Sequence, residues 1–101
     1  MKVFTQSVNF TADKKLINYI EKKVGCLEKF HDKIVDVEVY LKVQNTSEKE
    51  NKITEVKINI PGNELMVKKQ CKTFEEGVSI SVESLKRQLR KSKEKLRATV
   101  V

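Results

Sequence analysis

The sequence has few of the residue types on which catalysis, metal binding and membrane insertion depend. Its 101 residues include one histidine, two cysteines, one proline, three glycines and no tryptophan. So little proline and glycine excludes a collagen-like repeat or a low-complexity linker. No apolar run approaches the roughly 20 residues that a bilayer crossing needs, and the first residues lack the apolar core of a secretory signal. We therefore expect a cytoplasmic protein that does not span a membrane.

The same scarcity argues against an enzyme. Acid–base catalysis near neutral pH commonly uses histidine, and the single His31 lies beside Asp32 at a predicted helix end, where a capping or surface role is the simpler interpretation. Cys26 and Cys71 lie far apart and form no Cys-x-x-Cys pair, so we interpret both as reduced, mostly buried thiols. The chain also lacks a glycine-rich phosphate loop. We predict no catalytic activity, no metal and no cofactor.

The length fits one domain, since a chain typically needs roughly 100 to 150 residues to enclose its own core. Apolar residues make up 39% of the chain and charged residues 35%. The apolar residues fall in periodic runs, which is typical of a folded chain and not of a disordered one. We predict a single domain over residues 1–101, with a short disordered tail at residues 98–101.

Apolar periodicity predicts the element order β-α-β-β-β-α. Spacings of three and four residues predict a first helix that begins at Asp13, or alternatively Thr11, and ends at His31–Asp32. Gly25 interrupts this helix, which is tolerable if it allows close packing against a neighbour. A second helix is predicted from Thr73, as N-cap, to about Arg97. Alternating apolar residues predict four strands, at Lys2–Ser7, Val35–Val43, Thr54–Ile60 and Leu65–Lys72. Polar and turn-forming residues predict an exposed loop at residues 44–51 and a turn at residues 61–63.

These elements predict an α+β fold, a four-stranded sheet with two helices on one face, similar to a double-stranded RNA-binding domain. The connection through the first helix is long enough for a right-handed crossover, which makes the first two strands parallel. The remaining strands then form an antiparallel meander, and the second face of the sheet stays solvated.

The positive charge is concentrated near the end of the chain. Lysine and arginine number 21 against 14 aspartate and glutamate, a net charge of +7. Between Ser84 and Arg97 seven basic residues accompany one acid, Glu94, so this segment carries +6 of the excess. At about 100° per residue these side chains form an outward stripe on the last helix. Such a stripe attracts polyanions, and nucleic acid is the expected partner, with a merely solvated helix end as the alternative.

Three blocks of the sequence resemble a known family. They are Leu27-Glu28-Lys29-Phe30-His31-Asp32-Lys33-Ile34, Leu41-Lys42-Val43 and Arg87-Gln88-Leu89-Arg90-Lys91-Ser92-Lys93-Glu94-Lys95-Leu96. The chain is similar over almost its whole length to the short bacterial ribosome hibernation-promoting factors, also called ribosome-associated inhibitors. The resemblance implies a domain that binds the small ribosomal subunit in the channel for messenger and transfer RNA. It would contact ribosomal RNA there and silence translation by steric occlusion during slow growth, stress or stationary phase.

The resemblance also implies which residues contact ribosomal RNA. They are the basic residues of the last block and one of the first helix: Lys86, Arg87, Arg90, Lys91, Lys93 and Lys23. The sequence departs from the family where the last helix begins, since Thr73–Ser79 replaces a frequent Asp-Met-Tyr-Ala-Ala-Ile-Asp pattern. The sequence ends shortly after the basic helix, so we expect no counterpart of the second domain through which longer relatives pair two ribosomes. We therefore expect a monomer that does not itself pair ribosomes.

Two other functions fit the composition. A general double-stranded RNA-binding domain would share the β-β-β-α core, but its basic cluster would open the last helix, whereas this helix opens with Glu75 and Glu76 and turns basic only after Ser84. A regulatory module whose basic helix binds an acidic protein is the other alternative. A stacking platform for single-stranded RNA is not predicted, because only Tyr40 among the aromatic residues is expected on a solvated strand face.

Overall fold

The computed structural model describes residues 2–8, 10–31, 33–44, 47 and 49–99, and for residues 92–99 it describes the backbone alone. In chain order the elements are β1 (Lys2–Val8), α1 (Lys14–Gly25), a 3₁₀ segment (Cys26–Lys29), β2 (Asp36–Val43), β3 (Lys52–Ile60), β4 (Asn63–Cys71) and α2 (Phe74–Thr99). The predicted α+β class and element order are confirmed. Residues 98 and 99 of the predicted tail belong to α2, whereas residues 100 and 101 lie outside the described residues.

The four strands form one sheet in the order β1-β2-β3-β4. Strand β1 is parallel to β2, with Val3 opposite Val37, and the other two pairs are antiparallel, as predicted. Gly62, in the turn between β3 and β4, has a φ of 78°. This is the left-handed region that glycine adopts without a steric penalty, so the turn residues predicted at 61–63 perform their expected role.

The core lies between one face of the sheet and both helices. Alternate residues of the central strands point inward and are fully buried, for example Val39 of β2 and Ile58 of β3. Helix α1 contributes Ile20 and α2 contributes Leu85 and Leu89, all fully buried in the same cluster. Both helices therefore cover the same face, as predicted. The other face, which we call the open sheet face, carries the even-numbered residues of β1, β2 and β4 and the odd-numbered residues of β3.

Side-chain caps begin both helices where the sequence places them. The Asp13 carboxylate accepts a hydrogen bond from the Leu16 backbone N–H at 2.8 Å. The Thr73 hydroxyl accepts one from the Glu76 backbone N–H at 3.2 Å. Each cap satisfies a donor that the helix itself leaves without a partner, so both predicted starting points are confirmed.

The first helix ends differently from the prediction. Its α-helical part stops at Gly25, and the chain then tightens into the 3₁₀ segment, where the Cys26 N–H bonds to the Lys23 carbonyl. Glycine is the weakest helix former after proline, which favours a change of helix type at this residue. His31, for which a capping or surface role is predicted, is buried at 5% exposure, and its Nδ1 accepts a hydrogen bond from the Lys33 N–H at 3.1 Å. The surface role is therefore wrong, while the local hydrogen bond resembles a cap.

The close packing expected at Gly25 occurs at Gly77 instead. A Cβ atom at Gly25 would meet nothing within 4 Å. A Cβ atom at Gly77 would lie 2.5 Å from Oγ1 of Thr54 and 3.0 Å from its Cβ. Ser81, one turn further along α2, is also fully buried. Small residues one turn apart thus let α2 approach β3 closely and fix the height of this helix above the sheet.

Candidate nucleic-acid interface

The two helices lie side by side on the sheet and run in the same direction. Near the start of α2, the hydroxyl of Tyr19 on α1 lies 3.5 Å from the carbonyl oxygen of Glu75. Further along both elements, Phe30, just after the 3₁₀ segment, contacts Lys86 and Arg90 of α2. The earlier residue, Tyr19, contacts the start of α2, and the later residue, Phe30, contacts a later part of α2. The two helices therefore run parallel. The charges of α1 and α2 consequently belong to one layer.

The buried residues of α2 determine which of its side chains face solvent. Leu85 and Leu89 are fully buried, and Arg87, Arg90 and Lys91 are exposed. Lys86 is half-buried beside them. We call the set Lys23, Lys86, Arg87, Arg90 and Lys91 the basic face. These are five of the six residues predicted to contact RNA; the side chain of the sixth, Lys93, lies outside the described residues.

Three cations of the basic face lie close to aromatic rings. The Lys86 Nζ lies 5.3 Å from the centre of the Phe30 ring, and the Arg90 guanidinium carbon lies 5.0 Å from it. On α1, the Lys23 Nζ lies 5.9 Å from the centre of the Tyr19 ring. Cations within about 6 Å of a ring centre are attracted by its quadrupole. Sequence reasoning missed this role of Phe30, because the apolar spacing of α1 identifies a core residue and no sequence signal links position 30 to position 86.

An acidic neighbour offsets part of the positive charge. The Glu83 carboxylate lies 3.1 Å from the Lys86 Nζ, one turn earlier on α2. Glu83 stands just before the basic segment, so a charge count that begins at Ser84 omits it. This carboxylate competes with any bound phosphate for the Lys86 ammonium group. We therefore expect Arg87, Arg90 and Lys91 to contribute more to phosphate binding than Lys86 does.

The open sheet face has balanced charge. It carries four lysines and four acids: Lys2, Lys42, Lys57, Lys68, Asp36, Glu38, Glu55 and Glu64. Lys57 lies 3.2 Å from Glu64 and 3.7 Å from Glu38, and the Glu64 carboxylate, followed by that of Glu38, raises the pKa of Lys57. The whole positive excess of the chain therefore lies off this face.

The open sheet face also bears a second aromatic residue, so the prediction that Tyr40 is the only aromatic residue on this face is wrong. Phe4 is 53% exposed, and the register puts it on the same face as Tyr40. Desolvation, and after it the charge of the Glu38 carboxylate, raises the pKa of Tyr40, whose hydroxyl donates a hydrogen bond to Glu38 at 3.3 Å. Aromatic platforms for single-stranded RNA combine stacking residues with a positive groove, and this face supplies no positive excess.

The part of the chain that the structure describes contains neither a cluster of metal ligands nor a helix that could cross a membrane. No three histidine, cysteine, aspartate or glutamate side chains within it are placed to share a metal ion. Neither described helix combines the length and the apolar character that a membrane crossing requires.

The fold and the charge distribution together define a small α+β domain. Its positive charge lies on the helical layer, and the open sheet face on the other side has balanced charge. The profile of the family described as "Sigma 54 modulation protein / S30EA ribosomal protein" matches residues 3–97. The chain belongs to this family, which confirms the resemblance drawn from the three sequence blocks.

Relatives agree with this assignment. The chain is 28% identical over 95 residues to a ribosome hibernation promoting factor of Pseudomonas putida strain KT2440, covering 94% of this chain and 89% of that protein. Among solved structures, a ribosomal subunit interface protein from Coxiella burnetii has a TM-score of 0.81 at 19% identity and covers 93% of this chain and 99% of its own. The N-terminal domain of Protein Y from Thermus thermophilus has a TM-score of 0.70 at 20% identity, with coverages of 89% and 93%. At these identities the two structures show a shared fold.

Proposed function

We propose that this protein is a ribosome hibernation factor, which binds the small ribosomal subunit in the channel for messenger and transfer RNA and silences translation by occupying it. The observation that carries the proposal is the separation of charge: Arg87, Arg90 and Lys91 are exposed on the helical layer, while the open sheet face is balanced. Family membership and the name of the Pseudomonas putida relative support the ribosome as partner. The protein acts in the cytoplasm, as a monomer off the ribosome, during slow growth or stress.

Binding depends on contacts between the basic face and ribosomal RNA phosphates. Arginine presents a planar set of N–H donors that can hold two phosphate oxygens at once, and lysine presents a compact point charge. The face carries both types, with Arg87 and Lys91 one turn apart on α2 and Arg90 and Lys86 one turn apart beside them. Each neutralised phosphate releases counterions, so the affinity has a steep dependence on salt.

The inhibition itself requires no chemistry. The 26 residues of α2 span about 39 Å at the usual helical rise, so the helix can contact several phosphates along a channel wall. The closely packed core, with Gly77 seated on Thr54, keeps the domain rigid. A rigid body anchored in this way excludes messenger and transfer RNA by volume alone.

The start of α2 disfavours a general double-stranded RNA-binding domain. Glu75 and Glu76 occupy its first turn and are exposed, and the basic residues begin only at Lys86, three turns later. A domain that docked the start of this helix against phosphates would bring two carboxylates toward them, which is repulsive. Contacts through the later turns and through α1 avoid this repulsion.

The proposed surface is tested by charge reversal with a matched control. In the triple variant Arg87→Glu, Arg90→Glu and Lys91→Glu, binding to purified small subunits should be abolished, because three phosphate-binding cations become anions. The fold should stay intact, since no altered side chain is part of the core. The control variant Lys2→Glu, Lys42→Glu and Lys68→Glu makes the same change in net charge on the open sheet face. It should retain binding, apart from a modest loss of long-range attraction at low salt.

Affinity is measured across salt concentrations from about 50 to 200 mM, with circular dichroism and thermal unfolding as checks on folding. If about six phosphates are neutralised, the log–log slope of the wild type is of order −5, and the control retains it. Equal weakening of both variants would mean that net charge alone drives binding. Full binding by a folded triple variant would refute the proposed surface.

A further inference from the structure

Phe30 occupies an unusual position for a residue of the core. It follows the 3₁₀ segment, and its N–H donates a hydrogen bond to the Leu27 carbonyl at 3.0 Å, which fixes its backbone. The ring is half-buried and packs against the core cluster. It also lies 5.3 Å from the Lys86 Nζ and 5.0 Å from the Arg90 guanidinium carbon. One fixed ring therefore contacts two cations of the basic face.

The spacing of the two cations makes this contact possible. Lys86 and Arg90 are four residues apart on α2, so they lie one turn apart on the same side of the helix. Their charges repel each other, and the electron-rich ring beside both offers attraction to each. The Glu83 carboxylate also accepts a hydrogen bond from the Lys86 Nζ at 3.1 Å. The ring and the carboxylate thus restrict the rotamers of side chains that are otherwise among the most flexible in proteins.

From this geometry we propose that Phe30 is a positioning residue, which holds Lys86 and Arg90 in the conformation that binds RNA phosphates. The proposal rests on the proposed function and adds the means by which the basic face is preorganised. A guanidinium group that stacks on a ring uses its flat face, so the N–H donors around its edge remain available to phosphate oxygens. The Arg90 guanidinium carbon lies 5.0 Å from the ring centre, so contact with the ring and phosphate binding are compatible.

Preorganisation predicts the size of the effect. Immobilising a flexible side chain at an interface opposes binding. Without the ring, Lys86 and Arg90 become ordered only during binding, and ordering two such side chains lowers the affinity about tenfold. The Phe30→Leu variant keeps an apolar side chain against the core and removes the ring. We expect its affinity for small subunits to fall about tenfold at every salt concentration. The salt slope should be unchanged, because no phosphate contact is lost.

Two further variants separate positioning from a loss of charge or of folding. Arg90→Gln removes an exposed cation and should reduce the magnitude of the salt slope by about one, unlike Phe30→Leu. Phe30→Tyr keeps a ring and should restore near wild-type affinity. In the double variant Lys86→Gln and Arg90→Gln, adding Phe30→Leu should cause no further loss, because the ring acts only through these two cations. A purely structural role of Phe30 would give the same additional loss in every background.

The free protein provides a test that does not depend on the ribosome. Protons over an aromatic ring are shifted upfield in NMR spectra, so the Lys86 ε-protons and the Arg90 δ-protons should be shifted in the wild type and in Phe30→Tyr and should return toward ordinary positions in Phe30→Leu. Ordinary positions in the wild type would overturn the positioning role and leave the proposed function standing. Shifted protons in a protein that does not bind small subunits would refute the proposed function and leave the ring–cation contact established.

An additional loss from Phe30→Leu in the background without the cations would also overturn the proposal. So would a change of salt slope in Phe30→Leu that equals the change in Arg90→Gln. Urea unfolding of each variant establishes that it is folded under the binding conditions. The expected pattern is therefore an affinity loss of about tenfold that requires Lys86 and Arg90, is rescued by tyrosine and leaves the salt slope unchanged.

Discussion

Adding one methyl group at Gly77 should destabilise the protein, although alanine is the better helix former. In an exposed helix interior, glycine to alanine favours the folded state by about 1 kcal/mol. At Gly77 the new Cβ would lie 2.5 Å from Oγ1 of Thr54 and 3.0 Å from its Cβ. Rotation of the threonine side chain moves Oγ1 but not Cβ, so α2 itself must shift away from β3. Overpacking of this kind costs about 1 to 3 kcal/mol, which outweighs the gain in helix propensity.

Gly25→Ala is the matched control, since it makes the same substitution in the other helix where a Cβ meets nothing within 4 Å. It should stabilise the protein by up to about 1 kcal/mol. Urea and thermal unfolding measure both, and about 1 kcal/mol shifts the melting temperature of a domain of this size by roughly 4 °C or more. Thr54→Ala should relieve part of the cost at Gly77. Stabilisation by Gly77→Ala equal to that by Gly25→Ala would refute the close approach of α2 to the sheet.

Two further predictions concern titratable groups outside the basic face. Because the raised pKa of Lys57 exceeds its unfolded value of 10.5, its contribution to stability is complete below pH 10.5 and is lost as the pH rises through the folded-state pKa. In Glu64→Gln the pKa of Lys57, followed by NMR, should fall toward 10.5, and an unchanged pKa would contradict the assigned cause. Burial raises the pKa of the Cys71 thiol, which is 7% exposed, so iodoacetamide should alkylate half-buried Cys26 first in the folded protein. Equal rates in the folded protein, measured by mass spectrometry, would contradict this burial.

Much of the fold could be predicted because each element carries a local signal. The strict alternation from Val35 to Val43 predicts β2, and the side chains of Asp13 and Thr73 predict both helix starts to the residue. Sequence patterns fail where the deciding contact is remote. Gly25 interrupts a helix without any packing reason, whereas Gly77 has one that depends on Thr54.

The candidate site also has a part that the sequence predicts and a part that depends on contacts between residues far apart in the sequence. Charge density predicts the basic segment that contains Arg87, Arg90 and Lys91, and the family resemblance implies that these residues contact ribosomal RNA. The role of Phe30 depends on how α2 lies beside the 3₁₀ segment, which apolar spacing does not specify. Glu83 was missed for a local reason, since it stands one residue outside the basic segment.

Occlusion of the channel requires that the protein and the translated RNA compete for one place on the small subunit. Its most direct test is sedimentation of the protein with small subunits that are either vacant or preloaded with messenger and transfer RNA, in the presence of excess competitor duplex RNA. The protein should co-sediment with vacant subunits despite the competitor and should not co-sediment with preloaded subunits. Equal binding to vacant and preloaded subunits, or binding that the duplex RNA removes, would contradict occlusion of the channel.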